Sequence, residues 1–364
     1  LQLWRARLIP MTSYQQTINR LIASVPFTID TSVQMRGHPP TLASSDFLTN
    51  REQGDWAEKV VVSAINENFK EYRAIPYGHS GRLAAGDLGF SEFYGAHQDE
   101  LNSIGKKPDV LIFHRSQIEG GADLGDNGIV KQAVAAIEVR SSSFLTEKYT
   151  SFIRKRLRQA EKECVKLQNQ ILQEPLVSLL SEKAPELHTS ISQATSETFK
   201  ELNFRARSWS SSDDLLLLSE LLKKLKAQIK ILHRRDYLSF TPKLEDLALI
   251  NRWIQHFGVH HYYLQVFFDK AYVISFKDIL TICSDPSQEG AIFSVEQDIK
   301  NQGKTTFKIN VNAGHEMLQK IDIPSHKSAL RELDRGRLLF YVTFEGGQAH
   351  LDKEIFLRHV VNGT

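Results

Sequence analysis

Two short apolar runs, each carrying one acid, constrain this chain more than any other feature. The first reads Lys107-Pro108-Asp109-Val110-Leu111-Ile112-Phe113. The second reads Val134-Ala135-Ala136-Ile137-Glu138-Val139-Arg140 and is followed by Ser141-Ser142-Ser143. Runs of this length, rich in Val, Ile and Phe and bounded by glycine or polar residues, predict buried strands. Asp109 opens its strand directly behind a proline, and Glu138 stands inside an otherwise apolar one. A carboxylate at a buried strand position carries a large desolvation cost unless a partner charge or a metal compensates it. Two of them on neighbouring strands suit a hard divalent cation, which takes oxygen ligands. Structural roles fit the same residues. Asp109 can be a strand-entry turn residue, and Glu138 a partner of Arg140 if a bulge places the two together.

Pro108-Asp109, a gap, and Glu138-x-Arg140 resemble the PD-(D/E)xK nuclease motif, with arginine at the lysine position. The layout is most similar to that of a type II restriction endonuclease, and the helix over 51–68, the Tyr77-Gly78 loop and residues 262–280 fit it. The resemblance implies an α/β fold, with a mixed central sheet flanked by helices; the inserted helical subdomain is read from the residues over 147–236. It implies Mg²⁺ as cofactor and hydrolysis of phosphodiester bonds in double-stranded DNA by Asp109, Glu138 and Arg140. The metal ligands it implies are Asp109, Glu138, the peptide oxygen of Val139, and Glu58 from the first helix. A homodimer follows from the match between two-fold protein symmetry and a palindromic site. Arginine stays protonated, so Arg140 cannot act as a general base, but its planar fork can clamp two phosphate oxygens. Two further classes stay open: a DNA-binding protein on a nuclease fold without cleavage, and a helical interaction protein with an α/β core.

The rest of the chain supplies the frame. Residues 1–48 read as a helical extension, with Ile18, Leu21, Ile22 and Val25 at helical spacing outside the core. Residues 49–146 form the first part of the core. They open with a helix over 51–68 that Asn50 can cap and whose apolar face is Trp56, Val60, Ala64 and Ile65. Glu52 and Glu58 lie on that helix as candidate site acids or as solvated glutamates. Arg82, in a glycine-rich loop with Tyr77 and His79, and the serines Ser141 and Ser142 are candidate DNA contacts. Residues 115–132 read as a long hairpin loop near DNA. Its Asp123 and Asp126 have a calcium-like spacing but lack the remaining positions of an EF-hand.

Residues 147–236 read as an inserted basic subdomain, with helices over 147–172 and 213–235 joined by a polar segment over 186–212. Arg156 and Lys226 represent clusters that can neutralise phosphates, or that merely form solvated faces. Residues 237–364 resume the core. They are expected to begin with a helix starting near Ser239 or Thr241 and running to Trp253, then two strands over 262–268 and 271–276, and a strand-rich tail.

Composition narrows the classes further. The chain has 364 residues, 41% of them hydrophobic, enough for a large core. No apolar run is long enough to span a membrane. Arg5 and Arg7 interrupt the apolar start, which makes a poor secretory signal. Cys164 and Cys283 lack metal-binding spacing, which points to reduced thiols and a cytoplasmic location. A formal net charge of +2 is too small to signal DNA binding by itself.

Overall fold

The computed structural model describes residues 13–25, 29, 43–78, 83–118, 121–233, 235–298, 304–334 and 336–363. The chain divides into two compact units, Leu1–Thr146 with Ser239–Thr364, and Glu147–Leu238. The strands among the described residues are β1 (Tyr72–Pro76), β2 (Val110–His114), β3 (Ala135–Ser141), β4 (Ser239–Phe240), β5 (His261–Val266), β6 (Ala271–Ser275), β7 (Phe293–Asp298), β8 (Lys304–Asn310), β9 (His315–Ile321), β10 (Ser325–Glu332), β11 (Leu338–Glu345) and β12 (Ala349–Leu351). Seven of them form one mixed sheet in the order β1-β2-β3-β5-β6-β9-β12. β4, β8 and β7 form a second sheet, and β10 with β11 a third.

Both acid-bearing runs form neighbouring interior strands of the large sheet. β2 pairs antiparallel with β3 over three rungs, the last being Val110↔Ile137. β3 continues alone past that rung and pairs parallel with β5 from Ala136↔His261 to Ser141↔Val266. Side chains alternate along a strand. Ala135, Ile137 and Val139 therefore join the core beneath Trp56, Ala57, Val60, Val61, Ala64 and Ile65, while Glu138 and Arg140 share the opposite face. The tail extends the sheet through β9 and β12.

Around this sheet lie α1 (Ser13–Ser24), α2 (Ser45–Asn68), α3 (Phe90–Ile104) and the single turn α4 (Asn127–Val130). The helix expected over 51–68 starts six residues earlier. The Ser44 side chain accepts from the Phe47 N–H, and Asp46 suits the positive helix end, so Ser44 and not Asn50 is the cap. α1 buries Ile18 completely, and Gln15 Nε2 donates to the Ile254 carbonyl at 2.8 Å. β1, directly before the Tyr77-Gly78 loop, is an edge strand with only Ala74 buried. α3 escaped notice: Leu101 is its only buried residue among those described, too little to make a stripe. In the 115–132 connection, Asp123 and Asp126 accept from the N–H groups of Gly125 and Gly128 at 3.0 and 2.7 Å. Their carboxylates close local turns.

The second unit contains α5 (Thr146–Ile171, entered from the first unit), α6 (Leu176–Lys183), α7 (Pro185–Gln193) and α8 (Asp213–Leu232). α7 falls almost entirely within the stretch expected as a polar segment over 186–212, and α6 directly precedes it. Cys164, Leu167 and Ile171 of α5 pack with Leu218, Leu222, Leu225 and Ile229 of α8. Back in the first unit, α9 (Leu244–Phe257) and α10 (Phe276–Cys283) complete the helices used below. The helix expected from Ser239 or Thr241 begins at Leu244, because Ser239 and Phe240 pair with β8 instead. Both cysteines are free and buried. No helix among the described residues is long and apolar enough to cross a membrane.

Candidate active site

The site grows from the point where β3 outruns β2. There the Asp109 side chain takes over the ladder, its Oδ2 accepting from the Val139 N–H at 2.7 Å. Asp109 is held from the other side as well, since the Tyr77 N–H donates to its carbonyl at 2.8 Å.

Glu138 and Arg140 are two residues apart on a regular strand, so alternation alone puts them side by side, and no bulge interrupts the pairing of β3 with β5. An Arg140 terminal nitrogen lies 2.8 Å from Glu138 Oε1 and 2.9 Å from Asp246 Oδ2. Lys106 Nζ also bonds Glu138 Oε1, and it reaches Asp246 Oδ2 at 3.2 Å. Two cations and two carboxylates thus form a closed square in which each cation touches both acids. Glu138 is only 1% exposed, and its second oxygen, Oε2, has no hydrogen-bond partner among the described residues.

The electrostatics divide the acids into two groups. Burial pushes the Glu138 carboxyl up, but Lys106 and Arg140 outweigh it and hold the group below its usual range. The same balance lowers Asp246 to about 2. Asp109 has no such compensation. Burial, then Glu138, then Glu58 raise it well above the ordinary carboxylate range, against weaker opposition from Lys106 and the Val139 N–H. Glu58 is pushed up to about 7 by burial, Asp55 and Glu138. Lys106 and Arg140 are disfavoured by burial yet raised by the acids around them, so both stay charged.

Asp109, Glu138, Val139, Arg140, Ser141 and Ser142 all line one cleft of about 920 Å³, together with Glu58 from α2. Glu52 does not; it lies 3.9 Å from Arg51 on the same helix. Arg82 and His79 lie outside the described residues. Arg156 and Lys226 belong to the second unit, where the Arg156 guanidinium sits 5.9 Å from the Phe152 ring and Lys226 is exposed on α8. Sequence reasoning missed Lys106 and Asp246. The signal for the first was the doubled lysine before Pro108-Asp109. For the second it was an acid two residues into a helix that must lie against the sheet. Among the described residues, no three His, Cys, Asp or Glu side chains form a group that could hold a metal by themselves. A cation here would draw on two carboxylates and main-chain oxygen.

A family model described as the AccI restriction endonuclease matches residues 11–362. No curated protein and no solved structure matches the chain.

Proposed function

The chain belongs to the AccI restriction endonuclease family, which makes it a type II DNA endonuclease acting at specific sequences, and from that premise we propose how it cuts. Cleavage is Mg²⁺-dependent hydrolysis of phosphodiester bonds in double-stranded DNA at the Asp109–Glu138 centre, on the PD-(D/E)xK pattern. The observation that carries this reading is the buried Glu138 carboxylate in one cleft with Asp109, an acid that its surroundings disfavour in the charged form. A cation between them answers both costs at once. Main-chain direction supports a third ligand. In a strand the N–H and C=O of one residue point to the same flank, so the Val139 carbonyl faces the side to which its N–H reaches Asp109. An all-oxygen set of two carboxylates and one carbonyl suits Mg²⁺, which keeps several waters of its own. Bound there, the ion supplies Lewis acidity toward the phosphate and activates water for attack.

The chain's own residues do the rest. Asp109 and Glu138 hold and orient the ion, and Glu58 adds negative charge at the rim. Arg140 is anchored by two acids, which fixes its guanidinium for the scissile phosphate and for the charge that grows on it. Lys106 brings a primary ammonium to the same oxygen of Glu138, from the turn before β2 and not from β3. It takes the part that the motif gives to a lysine at position 140. Ser141 and Ser142 continue the cleft toward the DNA backbone. A second copy of the chain supplies the centre that cuts the other strand.

The test is incubation with long duplex DNA and Mg²⁺, followed by sequencing of the ends. Defined ends from the wild-type protein, absent with Glu138→Gln, are the expected result. Equal cutting by that variant, or by wild type in a chelator, would remove the centre from this position.

A further inference from the structure

The interior behind the Asp109–Glu138 centre carries polar side chains that the proposed reaction does not use. β5 places His261, Tyr263 and Gln265 at alternate positions, so all three share one face. They stand in register with Ala136, Glu138 and Arg140 of β3. Their exposures are 0, 1 and 2%. Gln265 Nε2 donates to the Arg140 carbonyl at 3.3 Å. Among the described residues, neither ring nitrogen of His261, nor the Tyr263 hydroxyl, nor Gln265 Oε1 has a hydrogen-bond partner. The rings are contiguous: the His261 centroid lies 5.9 Å from that of Tyr263 and 6.2 Å from that of Trp253.

A buried polar group left without a partner is costly to the fold. Phenylalanine would fill the place of Tyr263 without that cost, so the hydroxyl calls for an explanation. Two of the unpartnered atoms are complementary. The Tyr263 hydroxyl is a donor, Glu138 Oε2 is an acceptor, and the two residues are direct partners across the β3–β5 pairing. No bond joins them directly, and an internal water is the usual bridge between such groups.

We propose that Tyr263 is a positioning residue for Glu138, reaching Oε2 from the interior through a buried water. The proposal rests on the reading of Glu138 as a metal ligand. Oε1 is fixed by Lys106 and Arg140; fixing Oε2 as well sets the plane of the carboxylate before a cation arrives. Outer partners of ligating carboxylates tune metal affinity in this way.

Tyr263→Phe removes the oxygen and keeps the ring. Calorimetric titration with Mn²⁺, without DNA, reads the effect independently of turnover. The expected result is affinity weakened by about 10-fold or more, with the melting temperature held and cleavage recovering at saturating Mg²⁺. Glu138→Gln is the companion variant. If wild type binds Mn²⁺, Glu138→Gln does not, and Tyr263→Phe binds as wild type does, the role of Tyr263 is overturned while the centre stands. If Glu138→Gln binds as well as wild type, or wild type binds none, the centre and the proposal fall together.

Discussion

The Val139 N–H and the Asp109 carboxylate meet at 2.7 Å one step beyond the last rung between β2 and β3. Asp109 therefore serves the fold as an acceptor, whereas the proposed mechanism uses its charge. Asp109→Asn separates them. Asparagine still accepts from Val139 but removes a charge disfavoured by burial, Glu138 and Glu58. Urea unfolding at pH 7.5 should show it as stable as wild type or more so, while Mg²⁺-dependent cleavage is lost. Asp109→Ala loses the acceptor too and should be about 1–2 kcal/mol less stable than the asparagine variant. Wild-type cutting by Asp109→Asn would remove its charge from the mechanism.

Lys106 and Arg140 share one oxygen of Glu138, so either can partly cover for the other. Lys106→Met and Arg140→Met should each cost about 1–3 kcal/mol. The double variant should cost more than their sum, because only then is a buried carboxylate uncompensated. Single-turnover cleavage should fall by about 10²–10³-fold in Arg140→Ala, the scale of one preorganised donor. Arg140→Lys should keep part of the rate, since the charge survives without the fork. A strictly additive stability cycle would mean that the two cations act on separate partners.

Asp246 gives a dependence on pH. Its carboxyl is lowered to about 2 from an ordinary 3.8, because Lys106 and Arg140 outweigh its burial. A depressed acid stabilises the fold above its unfolded pKa and loses that contribution as pH falls through its folded one. Asp246→Asn should thus be less stable than wild type at pH 7 by about 2 kcal/mol, with the gap closing between pH 4 and pH 2. Glu58, raised to about 7, runs the other way. Its charge costs stability as pH climbs from about 4.5 to 7, so Glu58→Gln should gain on wild type over that range. Chemical denaturation across pH checks both signs.

Much of the centre was legible because strand alternation is a strict rule. Glu138 and Arg140 in one apolar run had to share a face, and Pro108-Asp109 had to sit at a strand entrance. What sequence could not give was the traffic between distant segments. Lys106 and Asp246 are 140 positions apart, and they meet only because α9 lies against the face that carries Glu138. The same limit hid α3 and β1, whose thin burial leaves no periodic trace. Ser44 and Asn50 are both good caps, and the residues between them favour neither, so sequence alone does not choose the cap.

The basic helices of the second unit can be tested by salt. Charge-removing changes at Arg156 and Lys226 should weaken binding to every duplex alike, measured in Ca²⁺ to prevent cutting. Each lost phosphate contact should make the plot of log affinity against log salt shallower by about one unit. An unchanged slope across a set of such variants would return α5 and α8 to the role of a solvated surface.

Two glycines should respond to alanine with opposite signs. At Gly78 a Cβ would stand 2.6 Å from the Pro108 carbonyl oxygen and 3.3 Å from that of Lys107, both main chain and neither able to swing aside. The neighbouring Tyr77 N–H is bonded to the Asp109 carbonyl, so the strain falls on the entrance of β2. Gly78→Ala should cost about 1–3 kcal/mol, the range for forcing atoms into a packed place. Because the displaced segment carries Asp109, cleavage should fall further than the loss of folded protein explains, even at temperatures where the variant is fully folded. Gly54 sits inside α2 with nothing within 4 Å of an added Cβ. There alanine lowers the entropy cost of the helix, and Gly54→Ala should gain about 0.5–1 kcal/mol. Unfolding curves for both, with single-turnover cleavage for Gly78→Ala, decide the matter. If Gly78→Ala folds and cuts like wild type, close contact between this loop and Pro108 is not what sets Asp109 in place.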